Sequence, residues 1–291
     1  MQVIPASDTE FTLSELETAV AELDQLETLP SVAERVLSIT ADPDCDLADV
    51  VDAIAPDPGL TARLMKVANS AYFPRPVDNL RGAIVRLGLR DVRALTVTAA
   101  LVGGPTSPFI HALWDRSLRC AALAASLARA GRIAVREPFL CGLLHDFGSL
   151  VLARLRADAY TDVVGEPDSD EQVERERAAF GYDHCDVGAL VAAKWNLPPD
   201  LPYVMQFHHA PADIDALELP SPIVDAVRLV ALARSIGRAD FDFGAADRDL
   251  ADGFGLDAEA LAGATEAAWD VYAAYTRELL GDTASARPKP R

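Results

Sequence analysis

Apolar residues return at helical spacing along nearly the whole chain. In "TLSELETAVAELDQLETL" they alternate with an acidic face, as an amphipathic helix requires. "PSVAERVLSI" follows with Ser31 and Glu34 spaced as a capping box. Two helices flank the turn Pro56-Asp57-Pro58-Gly59. "FPRPVDNL" reads as a loop, and "GAIVRLGLRDVRALTVTAALV" reads as two helices hinged at Gly88. A long helix over about residues 109–130 stops before Gly131, and "EPFLCGLLHDFGSLVLARL" starts at Glu-Pro and breaks near Gly148. Further helices follow in "DHCDVGALVAAKW", "PYVMQFHH" and "IVDAVRLVALARSIG". No pair of strands is visible, so the pattern predicts an all-α fold.

Composition agrees with helix. Half of the 291 residues are hydrophobic, only 7% are aromatic, and alanine, leucine and valine dominate. No apolar run approaches the roughly 20 residues that span a bilayer. The start "MQVIPASDTEFTLSE" has neither a charged n-region nor an h-region. Cys45, Cys120, Cys141 and Cys185 stand apart without a CxxC pair, which suits reduced thiols and a cytoplasmic protein.

Charge is unevenly placed. The net charge of −19 excludes non-specific nucleic-acid binding by the molecule as a whole. Yet twelve basic residues between Arg63 and Arg136 face only three acids. Arg75, Arg81, Arg86 and Arg93 are the candidate contacts of that segment for an anionic ligand or an acidic partner. Solvated helix faces would produce the same count.

The chemistry concentrates in histidines. Four of five lie in three contexts: His145 in "LLHDFG", His184 in "GYDHCDVG", and His208-His209 in "QFHHAP". Imidazole with carboxylate suits iron, manganese, zinc or cobalt. A doublet at a frayed helix end can turn both side chains to one side, and the proline after His209 predicts such an end. A buried thiol is the simpler reading of Cys185 beside His184. Asn69, Ser70 and Tyr72 in "NSAYF" could contact a ligand, though a helix cap and turn explain them equally.

The order of these motifs resembles the HD superfamily of metal phosphohydrolases, and within it the HDOD family, the HD-related output domain of bacterial signalling proteins. The resemblance runs from about Leu29 to Gly237 through "LPSVAERVL", "DPGLTARLMKVANSAYF", "LRGAIVRLGLRDVRAL", "LWDRSL", "GLLHDFG", "DHCDVGALVAAKWNLP" and "HH". It implies an HD-like helical core at residues 105–237 behind an N-terminal helical subdomain at 29–104. Residues 1–28 would be a helical lead-in, 238–256 a linker, and 257–291 a C-terminal helix and tail that packs back or dimerises.

Residue by residue the carry-over is incomplete. His145, Asp146, His184, His208 and His209 match the family's metal-site positions, but Arg116 stands where the first metal histidine belongs. The final aspartate falls on apolar Val230 or Leu232, with Asp225 about five residues too early. A guanidinium is permanently cationic and cannot bind a metal. It offers Asp146 a salt bridge instead. The expectation is a vestigial network with no metal, no cofactor and no catalysis; any metal would sit on His145, Asp146, His184, His208 and His209. The resemblance then implies a regulatory protein acting on signalling proteins in trans, in a two-component or cyclic-dinucleotide pathway, because no receiver, kinase or GGDEF-like segment is visible here. The alternatives are a metal-dependent phosphohydrolase on a nucleotide or cyclic dinucleotide, and a sensor that binds an anionic nucleotide without turnover.

Overall fold

A computed structural model describes residues 31–69 except 41 and 43, then 75–102, 108–165, 169, 171–194 and 197–279. The lead-in helix expected within 1–28, most of the "NSAYF" loop and the basic tail lie outside the described residues. Helices are α1 (Ser31–Thr40), α2 (Leu47–Ile54), α3 (Pro58–Ala68), α4 (Leu80–Val102), α5 (Pro108–Gly131), α6 (Pro138–Leu144) and α7 (Phe147–Leu155). They continue as α8 (Ala157–Val164), α9 (Gln172–Phe180), α10 (His184–Lys194), α11 (Leu201–Phe207), α12 (Ser221–Arg238), α13 (Arg248–Gly253) and α14 (Ala258–Leu279). No strand occurs among the described residues, so the fold is all-α.

Local chemistry explains the breaks. Asp57 caps α3 by accepting from the Leu60 N–H, with Pro58 in its first turn. Gly88 interrupts α4 at φ 79°, ψ 158°, where a side chain would be strained; the expected hinge is there. Asn69 ends α3 and clamps the following loop through both backbone groups of Val77, at 2.9 and 2.7 Å. That structural work accounts for Asn69 without a ligand.

The centre of the molecule is α5. It packs against α6, α12 and α14, and Leu113, Trp114, Leu118, Leu123 and Leu127 are all buried on it. Helices α1–α4 form a layer at one end, with α4 touching α6 and α3 touching α14. A second group, α7 to α11, packs together and reaches the rest through α11 on α6 and α7 on α5. The site lies where the α6–α7 turn, the start of α10 and the end of α11 meet α12.

The C-terminal segment packs on the rest of the chain. Residues 238–256 include a 3-10 turn (Phe243–Ala245) and α13, and they bury Phe241, Ala251 and Leu256. α14 lies along α5: the Tyr272 hydroxyl donates to Asp115, and the Tyr275 hydroxyl donates to Asp91 at 2.9 Å. The aromatic stripe Trp269, Tyr272 and Tyr275 is therefore turned inward.

Candidate functional site

Every histidine of the cluster sits at a helix end. His145 and Asp146 form the two-residue turn between α6 and α7. His184 opens α10, whose start is held by the Asp183 carboxylate accepting from the Asp186 N–H at 3.0 Å. His208 caps α11, and His209 lies in the bend before Pro211. Helix ends release side chains from the 100° spacing of a regular helix, so adjacent residues converge. His145, Asp146, His184 and His208 are buried, and His209 is half-buried.

The contacts are short. His184 Nε2 lies 3.3 Å from His208 Nε2, 3.1 Å from His209 Nε2 and 3.6 Å from Asp146 Oδ1. The His145 and His208 rings meet edge to face at 5.0 Å. Behind them stands a polar layer. Glu176 accepts from the His184 backbone N–H and from its Nδ1, both at 2.7 Å. Tyr160 donates to the same carboxylate at 2.7 Å. The Gln172 amide donates to Glu176 and to Ser149 Oγ, each at 2.9 Å, and Ser149 donates to Asp146.

Glu176, Gln172 and Tyr160 were not singled out from the sequence. Gln172 and Glu176 are four apart, on one helix face, but they sit inside an acidic run that reads as solvated. Burial is what separates them from their neighbours: both are fully enclosed. Arg234 on α12 was also missed, and it is the residue in that helix that reaches His209. Val230 and Leu232, the apolar stand-ins for the final aspartate, are buried. Arg116 lies half-buried on α5. Of the basic candidates, Arg75 and Arg81 are exposed. Arg86 instead donates to the Ala68 carbonyl at 3.1 Å and to the Arg75 carbonyl, and Arg93 pairs with Glu137 at 2.9 Å. Those two arginines serve the fold.

Burial and charge divide the histidines. Burial opposes a charge on His184, but Cys185 and Glu176 outweigh it and raise its pKa well above the usual value. Burial also pushes the Cys185 thiol up to about 12, so at neutral pH Glu176 is the partner that carries charge. Burial likewise works against the Glu176 carboxylate, yet the charge and hydrogen bonds of His184 hold it below its ordinary range. His208 and His209 go the other way. Burial first, then the neighbouring imidazoles and Arg234, lowers both.

The sign follows from linkage. A histidine whose pKa is lowered in the folded state contributes stability above its unfolded value of about 6.5 and loses it as pH falls. His208 and His209 must each take up a proton on unfolding in acid, at about 1.4 kcal/mol per pH unit apiece. His184, raised, works the other way: its contribution is complete below about pH 6.5 and is lost as pH rises from there through its folded value. Unfolding free energies from urea titration should therefore fall from about pH 6.5 downward, the slope approaching two protons only near pH 5. A flat profile would contradict the assignment.

The donor set was tested against a metal. One ring nitrogen each of His184, His208 and His209 and the Cys185 Sγ all lie within 4.8 Å of one another. His145 Nδ1 and His208 Nδ1 face the carbonyls of Gly142 and Met205 at 2.8 and 2.9 Å. A carbonyl only accepts, so both Nδ1 atoms carry protons and both Nε2 atoms present lone pairs, as ligand histidines do. His209 breaks the pattern. Its Nδ1 faces Arg234 Nη2 at 3.1 Å, and a guanidinium only donates. Neutral His209 therefore carries its proton on Nε2, the atom aimed at His184. In that tautomer His209 offers a metal no lone pair on its inward nitrogen.

Comparison with known proteins places this geometry. The family model for the HDOD domain matches residues 26–211. The chain belongs to the HDOD family. An HDOD domain protein of unknown function from Geobacter sulfurreducens is 28% identical, with a TM-score of 0.59 over 75% of this chain and 77% of that one. A Shewanella amazonensis SB2B structure named "Putative phosphohydrolase" shares the fold, with 24% identity and a TM-score of 0.68 over 92% and 98% of the two chains. An uncharacterized protein of Treponema pallidum (strain Nichols) is 30% identical over 203 residues, which is 64% of this chain. This HDOD chain spans only 38% of that relative's length. Among the described residues, no helix is long and apolar enough to cross a membrane.

Proposed function

We propose that this HDOD chain is a non-catalytic regulatory protein of bacterial signal transduction, acting by binding a partner in trans. The observation that carries the reading is the closed cluster. Its inward nitrogens contact one another, and the Nε2 of His209 is protonated by the demand of Arg234 at its other nitrogen. By the family resemblance, Arg116 stands at the sequence position of the first metal histidine, and a guanidinium cannot bind a metal. Such a network ties α9, α10, α11 and α12 to the α6–α7 turn and leaves binding to the surface. Exposed Arg75 and Arg81, in the most basic stretch of the chain, are the candidate contacts for an acidic partner or an anionic nucleotide.

A second reading has one observation in its favour. The three converging Nε2 atoms, with Asp146 at 3.6 Å from His184, resemble a metal-dependent phosphohydrolase centre. Elemental analysis and hydrolysis of bis(4-nitrophenyl) phosphate and cyclic dinucleotides, with added manganese or iron, separate the two. Expected are no stoichiometric metal and no turnover. Asp146→Ala should then act on folding alone, lowering stability by about 3–5 kcal/mol because it strips a buried charged network of one partner. Turnover that Asp146→Ala abolishes without loss of stability would establish the enzyme instead.

A further inference from the structure

The joint between the N-terminal layer and the rest of the chain holds a cavity that no residue of the histidine cluster lines. It measures about 310 Å³ and lies where α4, the end of α5 and the start of α6 converge. Asp91 of α4, Arg129 of α5 and Glu137, the residue before α6, line it with charge. Ile133, Val135 and Phe139 line it with apolar surface.

Both carboxylates are held in place from behind. The Tyr275 hydroxyl of α14 donates to Asp91 at 2.9 Å, and Arg93 pairs with Glu137 at 2.9 Å. The Glu137 side chain is only 10% exposed, so this pair is built into the joint. A carboxylate has about four acceptor positions, so Asp91 and Glu137 can take further donors while keeping these bonds. Arg93 balances the charge of Glu137, which leaves Asp91 as the negative charge of the wall. Arg129 brings the positive one: it is exposed at the rim and forms no ion pair among the described residues. The loop that closes the cavity has a costly backbone. Arg132 takes φ 51° directly after Gly131, in the left-handed region where a side chain is strained. That bend turns the chain back toward α6, and Ile133 and Val135 after it form the wall. Backbone strain of this kind collects at ligand sites.

We propose that this cavity binds a small zwitterion, an α-amino acid with an apolar side chain. Asp91 takes the ammonium, with Glu137 as a second acceptor, and the Arg129 guanidinium takes the carboxylate. The side chain covers Phe139, Ile133 and Val135. Ligand pockets run from about 300 to 1,000 Å³, so a cavity at the lower end suits an amino acid rather than a dinucleotide. Pockets at the junction of two structural units are also where small ligands are most often held. The occupant bridges α4 to the α5–α6 corner and so fixes the N-terminal layer on the rest of the chain. This inference goes beyond partner binding and is independent of the histidine cluster.

Calorimetric titration of the full chain with L-valine, L-leucine and L-phenylalanine tests this. Each is compared with the amine that lacks its carboxylate and the acid that lacks its ammonium. At least one amino acid should bind at a single site per chain with a Kd below about 1 mM. Both of its truncated forms should bind at least about tenfold more weakly, since each gives up a charged hydrogen-bonded contact. Arg129→Leu, at an exposed position, should weaken the amino acid by about tenfold or more and leave the unfolding transition unchanged. Ala125→Leu fills the cavity from α5 and should abolish binding in a chain that still unfolds cooperatively. If that variant fails to fold, Arg129→Leu decides. The proposal is overturned if no amino acid of the panel binds or if a truncated form binds as tightly as its parent. It also falls if binding survives Arg129→Leu undiminished or persists in a folded Ala125→Leu.

Discussion

Deleting residues 257–291 should abolish the cooperative unfolding transition. The deletion removes α14, which buries Leu261, Ala268, Tyr272 and Tyr275 against the rest of the chain. Trp269 packs edge to face on Phe241 at 5.2 Å, and Tyr275 lies 5.1 Å from Phe139. The Arg119 guanidinium, buried between Asp115 and Asp240, also sits over the Tyr272 ring at 5.7 Å. Burying one large apolar or aromatic side chain is worth about 1.5–3 kcal/mol. Four or five of them amount to on the order of 10 kcal/mol, comparable with the whole stability of a domain, about 5–15 kcal/mol. The family resemblance ends near Gly237 and by itself predicts a helical core that survives the cut. Circular dichroism and urea titration of the two chains decide it; a truncated chain within about 2 kcal/mol of full length would restore α14 to the status of an appendage.

Gly148→Ala should be the most damaging single substitution near the site. Gly148 lies in α7 where it crosses the start of α10, and a Cβ there would fall 1.8 Å from the His184 carbonyl oxygen and 2.8 Å from the Gly188 nitrogen. Both obstacles are backbone, so no rotamer change relieves them. The helices must part, and His184 moves with its own carbonyl, opening the Glu176 and Asp146 contacts behind it. Overpacking ordinarily costs about 1–3 kcal/mol. A backbone collision with coupled loss of a buried polar network belongs with the rare values above about 4–5 kcal/mol. Gly263→Ala is the internal control: nothing lies within 4 Å of a Cβ there, in the middle of α14. Helix propensity alone should make that substitution stabilising by about 0.5–1 kcal/mol. Equal melting behaviour of the two variants would refute the close crossing of α7 and α10.

Much was legible in the sequence because it is local. Helical period, the turn at Pro56–Gly59 and the break at Gly88 depend on residues within a few positions of one another, and all three stand in the structure. The same holds for the doublets. His208-His209 sits at the helix end the proline announced, while His145-Asp146 makes the break itself, a few residues before the expected one at Gly148, and helix ends let neighbours point together. Their order along the chain sufficed to place it in the HDOD family.

What tertiary structure alone decided is which groups stand behind those histidines. Glu176 and Gln172 look like two more members of an acidic helix until burial removes their water and makes His184 and Ser149 their partners. The stripe on α14 could be read as apolar, but not that α5, more than a hundred residues earlier, receives it. Arg234 carries no motif at all. Its role exists only because α12 crosses the end of α11 and brings a donor-only group 3.1 Å from His209 Nδ1. A sequence pattern can nominate residues by type and spacing, but a proton's position on an imidazole is set by the atom opposite it, and only the packed chain supplies that atom.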